Sequence, residues 1–194
     1  MKLLKTMIAV IILLCVVKVF AIEPKQEKGM TMKMANKKIL VVYFSRSGNT
    51  KKVAIDIASA LNADIEQLID KKDRRGIVGY LKSGRDASTE KLADLEPTKN
   101  DPSKYDLVVL GTPIWAWTMT PAIRTYILEN KSSFKDIACF TTAGGTKAEK
   151  IVEKMEVLAT KKAIAFTGFV GSDYSNKNKT QYDSKLNSFI DKLQ

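Results

Sequence analysis

The chain has 194 residues, with 32 Lys and Arg against 21 Asp and Glu, a net charge of +11 and no histidine. The missing imidazole excludes a Ser-His-Asp triad and removes the commonest metal ligand. Two cysteines, Cys15 and Cys139, are too few for a disulfide-built fold, so a packed core must carry the stability.

Residues 1–21 read as a signal peptide. Lys2 and Lys5 give a positive start, residues 7–17 are apolar, and Val19-Phe20-Ala21 supplies the small-residue end that a signal peptidase reads. Lys18 interrupts the run, which falls short of the ~20 apolar residues of a membrane span. The expectation is cleavage after Ala21 and export to the periplasm or the extracellular space. A retained segment would instead anchor the chain to a membrane, and a cytoplasmic location is the remaining alternative. Leu14 stands before Cys15 where lipoprotein processing wants a small residue. Cleavage would remove Cys15 and three lysines, leaving Cys139 alone and a charge of +8. The lysines are spread along the chain without dense runs and no nucleic-acid motif accompanies them, so the charge reads as a solvated surface suited to acidic partners.

Residues 22–37 form a polar leader, and one domain is expected over 38–194. The apolar run at 39–44 predicts a strand buried on both faces. A helix follows over 49–61, with Val53, Ile57 and Leu61 on one face. Residues 63–68 predict a second strand nearer the sheet edge, since Ile65 lies between Asp64 and Glu66. The charged stretch 69–104 holds Gly76, Gly79 and Gly84 and leaves room for one helix and an irregular loop, with Pro97 and Pro102 near its end. A buried strand returns at 106–111, a fourth strand fits 137–141, and 163–169 supplies a fifth. Helices are expected from Pro121, with Thr120 as candidate cap, to about Glu129, over 147–159, and over 182–193. Strands alternating with helices predict an α/β three-layer sandwich with a five-stranded parallel sheet. In such a sheet a ligand sits beyond the carboxyl ends of the strands.

Three loops fall at those ends. The first, Ser45-Arg46-Ser47-Gly48-Asn49-Thr50, enters a helix whose free amides can hold an anion, with short hydroxyl and amide side chains around it. Neither a P-loop lysine nor GxGxxG is present, which argues against triphosphates and dinucleotides. The second is Thr112-Pro113-Ile114-Trp115-Ala116-Trp117, holding both tryptophans of the chain. An indole makes a stiff apolar wall for a flat ring system such as a flavin. Trp115 is the expected ring neighbour, and Trp117 is left open between that role and packing on the next helix. The third, Thr141-Thr142-Ala143-Gly144-Gly145, combines hydroxyls with a glycine pair that lets a ligand approach the backbone. Cys139 falls within a predicted strand and reads as a small apolar core residue. Asp173 and Tyr174 follow the last strand and read either as a cap on the site or as an ordinary turn.

Taken together, Tyr43-Phe44-Ser45-Arg46-Ser47-Gly48-Asn49-Thr50 and Gly111-Thr112-Pro113-Ile114-Trp115 make the chain resemble the flavodoxin family over roughly residues 38–193. The resemblance implies a flavodoxin-like domain that binds flavin mononucleotide (FMN). Its phosphate would lie at Ser45, Arg46, Ser47, Gly48, Asn49 and Thr50. The ring would lie between Thr112, Pro113, Ile114, Trp115, Ala116 and Trp117 on one side and Thr141, Thr142, Ala143, Gly144 and Gly145 on the other. The third loop lacks the aromatic and acidic residues common in small flavodoxins, which implies a more open flavin face. The implied function is electron transfer to a redox partner protein or a small acceptor. An FMN-dependent reductase passing electrons from NAD(P)H to a quinone is the alternative, and a flavin-free binding module the second.

Overall fold

Ile39–Tyr43 (β1) is buried at every position because helices cover both of its faces. In the computed structural model, which describes residues 37–72, 84–145, 148–174 and 178–194, this strand lies inside one sheet, next to an edge strand. The expected signal peptide and nearly all of the polar leader lie outside the described residues, as do Gly76 and Gly79. Asp64–Gln67 (β2), Leu107–Pro113 (β3), Asp136–Ala143 (β4) and Ala163–Val170 (β5) complete five strands in the order β2-β1-β3-β4-β5, each neighbouring pair parallel. The helices are Asn49–Leu61 (α1), Pro121–Asn130 (α2), Glu149–Ala159 (α3) and Lys179–Leu193 (α4). Among the described residues none is long and apolar enough to cross a membrane.

The strand order sends the chain from β1 toward one edge and from β3 toward the other. With right-handed crossovers, α1 and α2 must then lie on opposite faces. They do. Leu40, Val42, Leu110 and Cys139 pack with α2 and α3, whereas Val41, Val109, Ala138 and Phe140 pack with α1 and α4. Each fully buried Leu, Ile, Val or Phe in these layers contributes about 1.5–3 kcal/mol. Burial also pushes the Cys139 thiol pKa up, so it behaves as core.

β3 and β4 run two residues further than the sequence reading has them, because they pair with each other to the end: Thr112 faces Thr141 and Pro113 faces Thr142. These four expected loop residues are therefore strand termini. Gly111 in β3 has to be glycine, since a Cβ there would lie 2.1 Å from the Phe140 ring on the paired strand. Thr120 takes the N-cap position of α2 but does not cap it with its side chain. Its hydroxyl instead lies 3.3 Å from that of Thr112, which also accepts the Thr120 N–H at 3.1 Å.

The stretch after β2 is anchored by backbone and side-chain pairs. Lys71 N–H donates to Asp94 and Glu96 N–H to Ile69, both at 2.9 Å, closing the excursion like a clasp. Glu66 accepts from the Lys99 and Asn100 amides and covers the outer edge of β2. Residues 84–88 are helical. The buried Arg124 of α2 holds that helix, donating to Ala87 O at 3.4 Å. Thr125 fixes Ala93 by bonding both its N–H and its carbonyl.

Candidate functional site

The loops leaving β1, β3 and β4 open onto one cleft of about 810 Å³ at the carboxyl edge of the sheet. The reversal in strand order lies between β1 and β3, so the crevice forms where their loops diverge.

On the α1 side, Gly48 takes the N-cap position with φ of +96°, a left-handed conformation that side chains other than glycine's adopt at a cost. Ser45 Oγ accepts the Gly48 N–H at 3.2 Å and tightens the turn. Because no side chain caps the helix, the first amides of α1 stay open to the loop. Ser47 and Asn49 line the cleft. Thr50 is buried, and its hydroxyl lies 2.8 Å from that of Thr142, tying the first loop to the third. The short side chains thus divide their work: Thr50 and Ser45 hold the loop in shape, while Ser47 and Asn49 face the opening. The Arg46 guanidinium lies 5.7 Å from the centre of the Trp115 ring, and Trp115 stands edge-on to Phe44 at 5.5 Å.

On the α2 side, Trp115 and Thr118 exchange N–H···O bonds, both 3.0 Å, across a two-residue turn. Ala116 and Trp117 occupy it with φ of +44° and +58°. This is the geometry that Asn-Gly normally supplies, and a bulky residue there stores about 1–2 kcal/mol of strain. The turn holds the Trp117 indole 78% exposed at the cleft, so it is not packed on α2. Arg124 donates to Thr118 Oγ1 at 3.3 Å as well as to Ala87 O, so one buried cation bolts the turn to the 84–88 helix. Burial lowers the Arg124 pKa and the nearby Glu90 raises it in part.

Thr142, Ala143 and Gly144 form the third side, with Ile114 N–H donating to Thr142 O at 2.8 Å. A Cβ on Gly144 or Gly145 would meet nothing within 4 Å, so space for a ligand is open beside that backbone. Thr112 and Thr141 are buried in the strand ends and brace the site from behind. Asp173 is a turn brace rather than a cap, since its Oδ2 accepts from Val170 N and Lys185 Nζ, each at 2.7 Å. The Tyr174 hydroxyl is buried near Thr142, and burial pushes its pKa up.

Four lining residues escape the sequence reading: Gly84, Arg85, Ser88 and Gly171. The first three lie in the charged stretch that has no hydrophobic period. Gly171 lies one residue beyond β5, and a Cβ there would come within 3.4 Å of Gly144 O. A glycine directly after a predicted strand at the same edge of the sheet is the signal that marks it. No Asp or Glu lines the cleft among the described residues.

A model of the flavodoxin family matches residues 38–168. Among solved structures, a flavoprotein from Lactobacillus acidophilus NCFM in complex with FMN is similar at 23% identity and a TM-score of 0.61, covering 77% of this chain and 98% of that one. Candidate flavoproteins from Bacteroides uniformis ATCC 8492 and Bacteroides eggerthii DSM 20697 are each 20% identical, with TM-scores of 0.59 and 0.57. Each covers 77% of this chain, and the chain covers 99% and 98% of them respectively. No curated protein matches. These structural likenesses establish the shared fold.

Proposed function

The chain belongs to the flavodoxin family, and we propose that it binds FMN in the cleft and works in electron transfer. The observation that carries this reading is the convergence of three features on one opening. An uncapped helix start, an indole-walled turn and the open backbone of Gly144 all meet in one cleft at the reversal in strand order.

The residues fit the cofactor part by part. The amides at the start of α1, with Ser47 and Asn49, suit a phosphate, and Arg46 adds positive charge near it. Trp115 supplies an apolar wall whose orientation is fixed by Phe44 and Arg46. The strand-end backbone from Thr142 to Gly144 offers donors and acceptors to the polar edge of a ring. FMN itself supplies the redox chemistry when bound, and the protein's part is to hold it, orient it and set the local field. No carboxylate of the described lining opposes a bound anion.

A simple carrier needs no acid or base in the cleft. The volume and the bare Trp117 favour a second reading, an FMN-dependent NAD(P)H:quinone-type reductase with room for a substrate. Absorption spectra of the purified protein test the first step. A yellow protein releasing FMN is expected, and a colourless protein that takes up no added FMN would overturn the reading. Steady NAD(P)H oxidation with a quinone, without any added reductase, would decide for the enzyme. The net charge of +8 left after cleavage suits an acidic redox partner, so its association rate should fall steeply with ionic strength. Export after cleavage at Ala21 is part of the same proposal, and the mass of the protein from its native host checks it.

A further inference from the structure

Arg85 reaches the cleft from the side away from the proposed phosphate loop. Its helix is held by Arg124 of α2, and the neighbouring Ala93 packs into the layer of α2 and α3. The 45–50 loop, by contrast, feeds α1 on the opposite face of the sheet. Arg85 is exposed, lines the cleft with Trp117 and Ser88, and has no ion pair among the described residues. Because Arg124 ties the 84–88 helix and the Trp117 turn together, guanidinium and indole are presented as one unit. A planar cation and a bare indole lining one cleft suit a ring that carries an anionic group, which the fork of Arg pairs with in a bidentate way.

We propose that Arg85 and Trp117 form a subsite for a small aromatic ligand bearing a carboxylate, sulfonate or phosphate group. The ligand would lie in the part of the cleft that FMN leaves open. This rests on FMN occupying the 45–50 loop. Arg85 then sets specificity for the second ligand and has no share in choosing the first.

The test titrates naphthoquinone sulfonate and neutral naphthoquinone against the protein with and without FMN, reading tryptophan fluorescence. With FMN bound, the sulfonate should bind about tenfold more tightly than the neutral ring, the preference shrinking as salt rises. Arg85→Ala should erase that preference, Arg85→Lys should keep part of it, and Arg85→Glu should favour the neutral ring. Equal binding of the two probes by the native sequence, or a preference that survives Arg85→Ala, would overturn the subsite. So would a variant that loses discrimination between FMN and riboflavin, since that would assign Arg85 to the cofactor phosphate. Failure of the native protein to take up FMN, seen in flavin fluorescence, would instead sink the flavin reading on which the subsite rests.

Discussion

On the α1 side of the cleft the 45–50 loop presents backbone amides, shaped by Gly48 and by hydroxyl bonds over three residues or across to Thr142. On the α2 side the cleft presents side chains, Trp115, Trp117 and Arg85, placed by a strained turn and by a buried arginine from a distant helix. The first side is shaped mainly within its own loop, with the Thr50–Thr142 hydroxyl pair as a long-range tie. The second is assembled by tertiary contacts, and it concentrates both the strain and the exposed apolar surface. Backbone recognition tolerates changes of side chain. Side-chain recognition changes one residue at a time, which suits the side proposed to meet the second ligand.

The largest effect expected from breaking this contrast comes from Arg124→Ala. It leaves the Ala87 carbonyl and Thr118 hydroxyl without their donor, and should cost about 2–4 kcal/mol in chemical denaturation. It should also change the emission of Trp117, because the turn loses its bolt. On the other side, Gly48→Ala places a side chain at φ of +96° and should cost about 1–2 kcal/mol. FMN titration should show weaker binding, since the helix-start amides are re-aimed.

Trp117→Gly should separate stability from function. Relieving the left-handed strain should stabilise the fold by about 1 kcal/mol, while aromatic probes bind less well in the fluorescence titration. Thr50→Val removes the link to Thr142 and should cost about 1 kcal/mol, with weaker FMN uptake.

The mildest test is pH. Burial pushes Glu156 up, but the Lys162 hydrogen bond and charge and the Ala163 amide outweigh it and hold its pKa below the usual value of 4.5. Lys135 and the Lys38 amide do the same for Asp106. A depressed carboxyl contributes stability above its unfolded pKa and loses it as pH falls through the folded value. Thermal melts should therefore decline below about pH 4.5. Neither group lines the cleft, so the decline should track unfolding and not a change in the site.

Much of the fold is legible because burial has a period. The unbroken apolar run of β1 and the spacing of Val53, Ile57 and Leu61 in α1 report their surroundings directly. The 84–96 stretch carries no such pattern. Its place is set by single polar bonds to Arg124 and Thr125, some thirty residues away, and nothing in the local sequence announces them. Beyond the edge place of β2, strand order is likewise absent from local pattern, since the interior strands of a doubly covered sheet look alike.

The sequence by itself determined five strands with helices between them and three ligand-ready loops, because hydrophobic period and turn chemistry act between near neighbours. Tertiary structure decided that Thr50 and Thr112 turn inward, that Trp117 stands bare on a left-handed turn, and that Arg85, Ser88 and Gly171 join the cleft. Those outcomes depend on contacts between residues far apart in the chain, which form only once the sheet has ordered its strands and brought the two faces to one rim.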